Sequence, residues 1–580
     1  MRFINFLFYA ILLICPLGAL FDVAYPSVFG QKVYVYILMP ILIIYSSILI
    51  LKRDRVILNK FDLVLVVFFC YLFCRMPDYA HMHYFLALLI VYFVGKLSGK
   101  LNLKVTIVLM LASSILQIFI GELQILNLIE SPNSMFKISG TFFNPAPYAG
   151  FLAMIVPLCY YKNYNLFKGR FETLFQIIVY IVMVGSVILL FSADSRAAFL
   201  AVIVSISYLY WNDEIVREVK SKLLAKKSYM ILVMVSVIFI CGFVYLYKYK
   251  SANGRLFIWT NSLTGIEKSP FLGNGIGSFK QNYMLFQRDY FENNTTSKYL
   301  SIADNVEYLY NDLLLIWFEL GIVGLLLLSI MLYYLFAPKF NSKLSKPLKA
   351  SCLTICIFSL FSYPSEIPAI CIYLFFILGL ISSIDTNHNL LVFPGFKKNG
   401  VYVISLSLLV LAVFYLNFCL SVYGSFKKWK SAIAYYDNGD FRRSKSFYDE
   451  VYSLGYLNNN PLFLDHYAKV LFLTENYYVS DLVSKRTVKI RPNVNNYLLY
   501  AESLSRQGKY ELAERYYEDA LFMVPKLFYG EYLLCKMYYN SRSEVKFKNR
   551  AKEFLFRSNE SDQLVVKEMR DSVNKWLLKQ

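Results

Sequence analysis

Histidine is scarce in this chain. The four residues, His81, His83, His388 and His466, are scattered through 580 positions, too far apart for the usual metal-ligand spacing, although His81 and His83 could lie near one another. Acidic residues are also few: 39 Asp and Glu against 59 Lys and Arg leave a formal charge of +20. Such a balance would suit nucleic acid, but the basic excess sits in short segments between apolar runs, where membrane topology accounts for it. Charged residues make only 17% of the chain, which excludes an ordinary soluble multidomain protein. The ten cysteines have neither metal-ligand nor disulfide-framework spacing. Those inside apolar runs, such as Cys15, Cys70, Cys74 and Cys241, read as small packing residues. There is no P-loop, and Gly273-Asn274-Gly275-Ile276-Gly277 is expected to lack the preceding strand and following helix that dinucleotide binding needs. Its glycines suit a tight turn. No cofactor, metal or nucleic acid is expected.

What the chain has is apolar length. Hydrophobic residues make 57% of it, aromatic ones 18%, and the mean hydropathy is +0.47. Apolar runs predict spans near 3–21, 33–51, 61–74, 83–97, 105–121, 147–161, 173–191, 197–211, 229–248, 308–336, 350–363, 366–383 and 401–424. The expected fold is all-α: a polytopic membrane helix bundle of about 12–13 spans over residues 1–424, followed by a soluble helical domain over 425–580. The first run is followed by no small-x-small cleavage site, and Ile14 before Cys15 does not suit lipoprotein processing, so it is expected to be the first membrane helix. Of the Lys and Arg in alternate connections, 22 fall on one side, and the short loops of the other hold only four (Lys32, Arg75, Lys137, Arg196). The basic side is expected to be cytoplasmic. The loop 249–307 and everything after 424 would then face outward.

After residue 424 the composition turns polar and tyrosine-rich, with an approximate 34-residue spacing. Tyr497, Ala501, Gly508-Lys509-Tyr510, Ala513, Tyr517, Ala520 and Pro525 fall at offsets that suit a tetratricopeptide-like repeat. Weaker copies lie at Gly439-Asp440-Phe441 with Tyr448 and at Glu475-Asn476-Tyr477 with Pro492. A generic helical hairpin domain is the other reading. Either would offer a groove for a peptide or protein partner.

Several polar residues are placed for chemistry. Arg196 stands at the mouth of a span and Arg255 at the start of the long loop; each suits lipid headgroups, or a bidentate fork for a diphosphate. If a helix begins at Asp304, then Asp304, Glu307 and Asn311 share one of its faces, with Tyr310 flanking Glu307. Glu319 falls inside the apolar zone, where a carboxylate is costly unless paired or hydrated, and is either structural glue or part of a site. Gly140 to Gly150 carries turn chemistry running into a span, and Asn144 within it could offer an amide to a sugar.

These pieces together resemble the O-antigen ligase and polymerase superfamily of bacterial envelope glycosyltransferases. The matching residues are Gly140 to Gly150, Ser195-Arg196, Gly254-Arg255-Leu256-Phe257-Ile258-Trp259, Pro270 to Gly277, and Asn311 with Glu319-Leu320-Gly321-Ile322-Val323-Gly324, within about residues 105–336. The resemblance implies a multi-pass protein of the bacterial inner membrane, with its C-terminal domain periplasmic. It implies a metal-independent, inverting transfer from an undecaprenyl-diphosphate-linked glycan to a sugar or protein hydroxyl. Arg196 and Arg255 would meet the diphosphate charge. Ligases of this family usually carry a histidine where this chain has Tyr310, and a phenol with a pKa of about 10 is a poor base. Glu307 is therefore expected to be the base, with Asp304 or Asp312 as substitutes. A polymerase of lipid-linked repeat units is the alternative within the class; a transporter or flippase, or a membrane-anchored scaffold, lies outside it.

Overall fold

A computed structural model of the chain describes residues 2–14, 17, 22–51, 55–76, 79–99, 103–210, 249–337, 342–385, 389–394, 398–559 and 561–579. The expected span 229–248, the basic run Arg217 to Lys227, Cys15, Cys241, His388, Lys52, Arg53, Lys100, Lys339 and Lys397 lie outside the described residues. The chain divides into two compact units. The first comprises Met1–Lys248, Phe271–Ile276 and Tyr310–Gly424; the second comprises Tyr249–Pro270, Gly277–Leu309 and Ser425–Gln580.

The first unit contains α1 (Arg2–Ile14), α2 (Gln31–Leu51), α3 (Lys60–Cys74), α4 (Tyr79–Ser98), α5 (Leu103–Ile125), α6 (Pro145–Ile155), α7 (Arg170–Ser192) and α8 (Arg196–Tyr210). The second unit contributes α9 (Tyr249–Lys268) and α10 (Ser278–Asn293). The first unit resumes with α11 (Asp312–Phe336), α12 (Lys346–Ser359), α13 (Pro368–Ile384) and the greater part of α14 (Lys398–Asp437). Five segments among the described residues are long and apolar enough to cross a membrane: Pro26–Leu51, Leu103–Ile125, Arg170–Ser192, Asp312–Phe336 and Ser405–Asp437. The protein is a multi-pass membrane protein.

Several of the expected spans form shorter or broken helices among the described residues. The run 147–161 is an 11-residue helix, α6, continued by a 3-10 segment at Val156–Tyr164. The eleven α-helical residues rise about 16 Å and the nine 3-10 residues about 18 Å, so the run has the length of a crossing but changes helix type part-way. Tyr148, Phe151, Leu152 and Met154 are fully buried, so this helix is apolar because protein surrounds it. α3, α8, α12 and α13 are likewise 14 to 17 residues long. Cys70 and Cys74, expected as packing residues, lie on the exposed face of α3, because an apolar run does not say which side meets protein. A second departure from the all-α expectation is a short antiparallel ribbon, β1 (Arg55–Asn59) with β2 (Asn389–Pro394), in register from Arg55↔Pro394 to Leu58↔Leu391. Five and six residues rich in Val, Ile, Leu and Phe suit strands better than helices.

Small residues let α4 and α13 touch closely. A Cβ added to Gly379 would lie 2.1 Å from the carbonyl oxygen of Tyr92, and one added to Gly95 2.5 Å from that of Phe376. Beside that contact, the fully buried Asp62 of α3 accepts from the Tyr92 hydroxyl, the Lys96 ammonium and, at 2.8 Å, the Ser382 hydroxyl. Asn59 and Asp62 cap the same helix reciprocally. One buried carboxylate thus pins three helices, and its charge is balanced by Lys96.

In the second unit α14 ends, and α15 (Phe441–Leu454), α16 (Pro461–Leu473), α17 (Tyr477–Ile490), α18 (Val494–Arg506), α19 (Tyr510–Met523), α20 (Phe528–Asn540), α21 (Glu544–Ser558) and α22 (Leu564–Lys579) follow through short turns. The turns at Gly439, Glu475, Gly508 and Arg542 share one construction. Each residue has a left-handed backbone, with φ of 78, 61, 76 and 56°. In each, the next amide reaches back to a carbonyl five residues earlier, as Lys509 does to Leu504 and Ser543 to Tyr538. Their separations of 36, 33 and 34 residues extend the periodicity to a fourth copy at Arg542, which sequence reading missed because arginine is not a turn signal. Ser444 and Ser480 each donate to the carbonyl of an alanine twelve residues earlier, Ala432 and Ala468.

Candidate functional site

The glycine-rich loop of the first unit is built against a break in α11. Gly321 leaves the helix at φ 67°, ψ −167°, and the loop Phe271–Ile276 lies on the carbonyls this exposes. Asn274 donates its backbone and side-chain amides to the Phe318 oxygen at 2.9 and 3.0 Å, Gly275 donates to Glu319 O at 2.9 Å, and Val323 donates to Phe271 O at 3.2 Å. The end of α3 completes the lock. Tyr71 donates to Leu272 O and Leu320 O at 3.0 and 2.8 Å, Arg75 donates to Gly273 O at 2.5 Å, and Ile276 donates to Arg75 O at 3.0 Å. Gly273, Gly275 and Gly277 all have positive φ, as a tight turn demands. A helix, α10, does follow Gly277 directly, contrary to expectation; the preceding element is α9, also a helix, so the dinucleotide reading still lacks its strand. The side chain of Glu319 is nearly buried at this break.

No helix begins at Asp304. The chain from Ala303 to Tyr310 is non-helical and α11 starts only at Asp312, so the shared helical face of Asp304, Glu307 and Asn311 does not form. The segment is instead held in an extended path by bonds to α10: Val306 N–H points to the Met284 sulfur and Asp304 O accepts from Gln287. Tyr310 turns the chain through a left-handed conformation, φ 57°, uncommon for a bulky residue. Asn311 is the N-cap of α11, its side-chain oxygen accepting the Leu314 N–H at 3.0 Å. Asp312 is buried and accepts both the amide and the hydroxyl of Ser365, at 3.1 and 2.8 Å. Tyr363 meets the Tyr310 ring edge-on at 5.4 Å, and Glu366 lies within electrostatic reach of Asp312. Thus Tyr310, Asn311 and Asp312 gather with Tyr363, Ser365 and Glu366, three residues that sequence reading did not single out.

Asn144 caps α6 by accepting the Ala146 N–H at 3.0 Å. The turn before it is gripped by two amides of α5. Gln124 accepts from Ser139 and Gly140 and donates to Gly140 O, while Gln117 accepts from Thr141 and donates to its hydroxyl. Two glutamines seven apart on an apolar helix were the available signal. Arg196 is the first residue of α8, behind a left-handed turn at Asp194.

In the second unit Arg255 stands in α9; the segment Gly254–Trp259 is helical and no loop begins there. Trp259 donates to Leu309 O at 2.9 Å, and Phe257 is buried against Phe291 and Tyr299. Glu307 is half-exposed and paired with Arg491 at 2.5 Å, and Arg288 meets Asp519 at 3.3 Å. Burial pushes the Asp519 carboxyl up, with Arg288 pulling it down. Among the described residues, no three His, Cys, Asp or Glu side chains cluster as metal ligands would; His83 packs on Tyr415 and Phe418.

Residues 181–329 match the family model of O-antigen ligase. The matched stretch is about a quarter of the chain. It contains Arg196, Arg255, the loop Phe271–Ile276, Glu307, Asn311 and the break at Gly321; Asn144 lies before it. No match was found among curated proteins. The match supports, at the coarse level, a glycosyltransferase-like ligase function.

Proposed function

We propose that the protein transfers a glycan from undecaprenyl diphosphate to an acceptor hydroxyl at the periplasmic face of the bacterial inner membrane. The observation that carries this reading is the O-antigen ligase match across residues 181–329, over both candidate arginines and the interlocked loop and helix break. Arg196 and Arg255 are assigned to the diphosphate, whose growing charge a guanidinium stabilises as the glycan departs. Glu307 takes the acceptor proton, since it is an exposed carboxylate three residues before the strained Tyr310. No metal takes part in this scheme. Asn311 and Asn144 position the sugar through the amide nitrogens their capping oxygens leave over, and Glu319 is assigned with Asn144 to positioning the substrate. The excess of Lys and Arg on alternate connections supports the orientation. The tail is read as a tetratricopeptide-like stack, supported by its four like turns, and the acceptor or a protein partner is its candidate ligand.

The test is an Arg255→Ala strain. Loss of glycan attachment with accumulation of lipid-linked donor is expected. Donor trapped on the cytoplasmic leaflet would instead favour a flippase, short attached chains a polymerase, and a normal envelope would overturn the reading.

A further inference from the structure

Glu307 does not hang in a free loop. Residues 304–307 are tied down at four points within the second unit, the Val306 N–H to the Met284 sulfur among them, and every tie leads to α10 or to the tail. Buried Gln287 of α10 spans from Asp304 O at 3.1 Å to Met523 O, the end of α19, at 2.6 Å. Asn305 accepts the Val494 N–H at 3.2 Å. Glu307 meets the Arg491 guanidinium at 2.5 Å. Arg491 is itself held in the elbow between α17 and α18: its amide donates to Thr487 O at 2.8 Å and its carbonyl accepts from Asn496 at 2.7 Å, with Pro492 next. A half-exposed ion pair is worth at most about 1 kcal/mol to stability. That is little reward for an arginine fixed by its backbone at both sides, whereas a fork presented from a rigid turn sets a carboxylate's direction well.

We propose that Arg491 is a positioning residue for the transfer reaction, supplied by the tail to aim the Glu307 carboxylate. The inference rests on Glu307 being the base. A base held by a third group is the usual construction of an activated acid–base pair, and here the third group comes from the tail. The tail is then part of the catalytic apparatus in cis, whatever else it binds.

The full-length protein, in membranes, serves for the test. Arg491→Ala is expected to lower glycan attachment roughly ten- to a hundredfold at an unchanged level of protein, and to speed amide exchange in residues 303–309. Arg491→Lys, which keeps the charge but not the fork, should recover part of both. A normal exchange rate at 303–309 in Arg491→Ala, or normal attachment, overturns the proposal. Equal losses in Arg491→Lys and Arg491→Ala also overturn it. Glu307→Gln separates the two layers: if that variant transfers normally, Glu307 is not the base and the purpose assigned to Arg491 falls with it, while the exchange data still report the hold.

Discussion

Gly273 and Gly321 meet backbone to backbone. A carbon added to the first would lie 2.5 Å from the amide nitrogen of the second, and one added to the second 2.6 Å from that of the first. Both have positive φ, so strain and collision act together. Gly321→Ala and Gly273→Ala should each destabilise the protein by roughly 1–3 kcal/mol, read as a lower melting temperature in detergent. Gly254→Ala, in α9 with open space around it, should cost nothing or stabilise slightly.

Arg75 joins that lock through its side chain and its carbonyl. Arg75→Ala should cost about 1.5–3 kcal/mol, the range for a hydrogen bond from a charged donor, and should expose the loop Phe271–Ile276 to added protease. Arg75→Lys, with a compact head and no fork, should recover only part of the protection.

Asp62 and Lys96 form a buried pair. Lys96→Met alone leaves an uncompensated carboxylate and should cost about 3–5 kcal/mol. Combining it with Asp62→Leu should restore much of the loss. Thermal unfolding of the single and double variants checks this, and additive losses would contradict the pairing.

The N-caps separate two roles. Asn311→Ala should lose about 1 kcal/mol of stability as well as any sugar contact. Asn311→Asp keeps the capping oxygen and removes the amide donor, so it should melt near the wild type yet transfer poorly. Normal transfer by Asn311→Asp would leave Asn311 as a cap alone.

His466 gives the tail a pH dependence. Burial holds its imidazole below the ordinary 6.5, Asp465 opposing and Lys469 reinforcing, with Asp437 also opposing. The folded value is depressed, so the contribution is full above pH 6.5 and is lost as the pH falls through the folded value, because the unfolded chain takes up the proton first. Glu502, Asp519 and Glu531, raised by burial, act in the opposite sense, so the measurement is a difference. Between pH 7.5 and 5.5 the wild type should lose more stability than His466→Gln, read as a larger fall in melting temperature.

Much of the architecture was legible because it follows from local chemistry. Twelve of the thirteen apolar runs fall on described helices, since hydrophobic length is a property of the chain itself. Which runs are shorter core helices was not legible: Tyr148 and Phe151 look alike in sequence whether lipid or protein covers them. The glycine loop was legible as a turn, but its partners were not. Tyr71 and Arg75 are about 200 residues away from it, and nothing local marks them. At Glu307 the residue could be named, but not its partner Arg491 in the tail.

By itself the sequence determined that this is a multi-pass helical protein with a periodic helical tail, because span length, turn residues and repeat spacing are all set within a few dozen consecutive positions. Only the tertiary structure decided that Gly321 breaks α11 to receive the loop, that Asp62 pins three helices, and that Arg491 holds Glu307. Those are pairings of single polar groups across long loops, and a donor or acceptor in a sequence does not say which distant partner satisfies it.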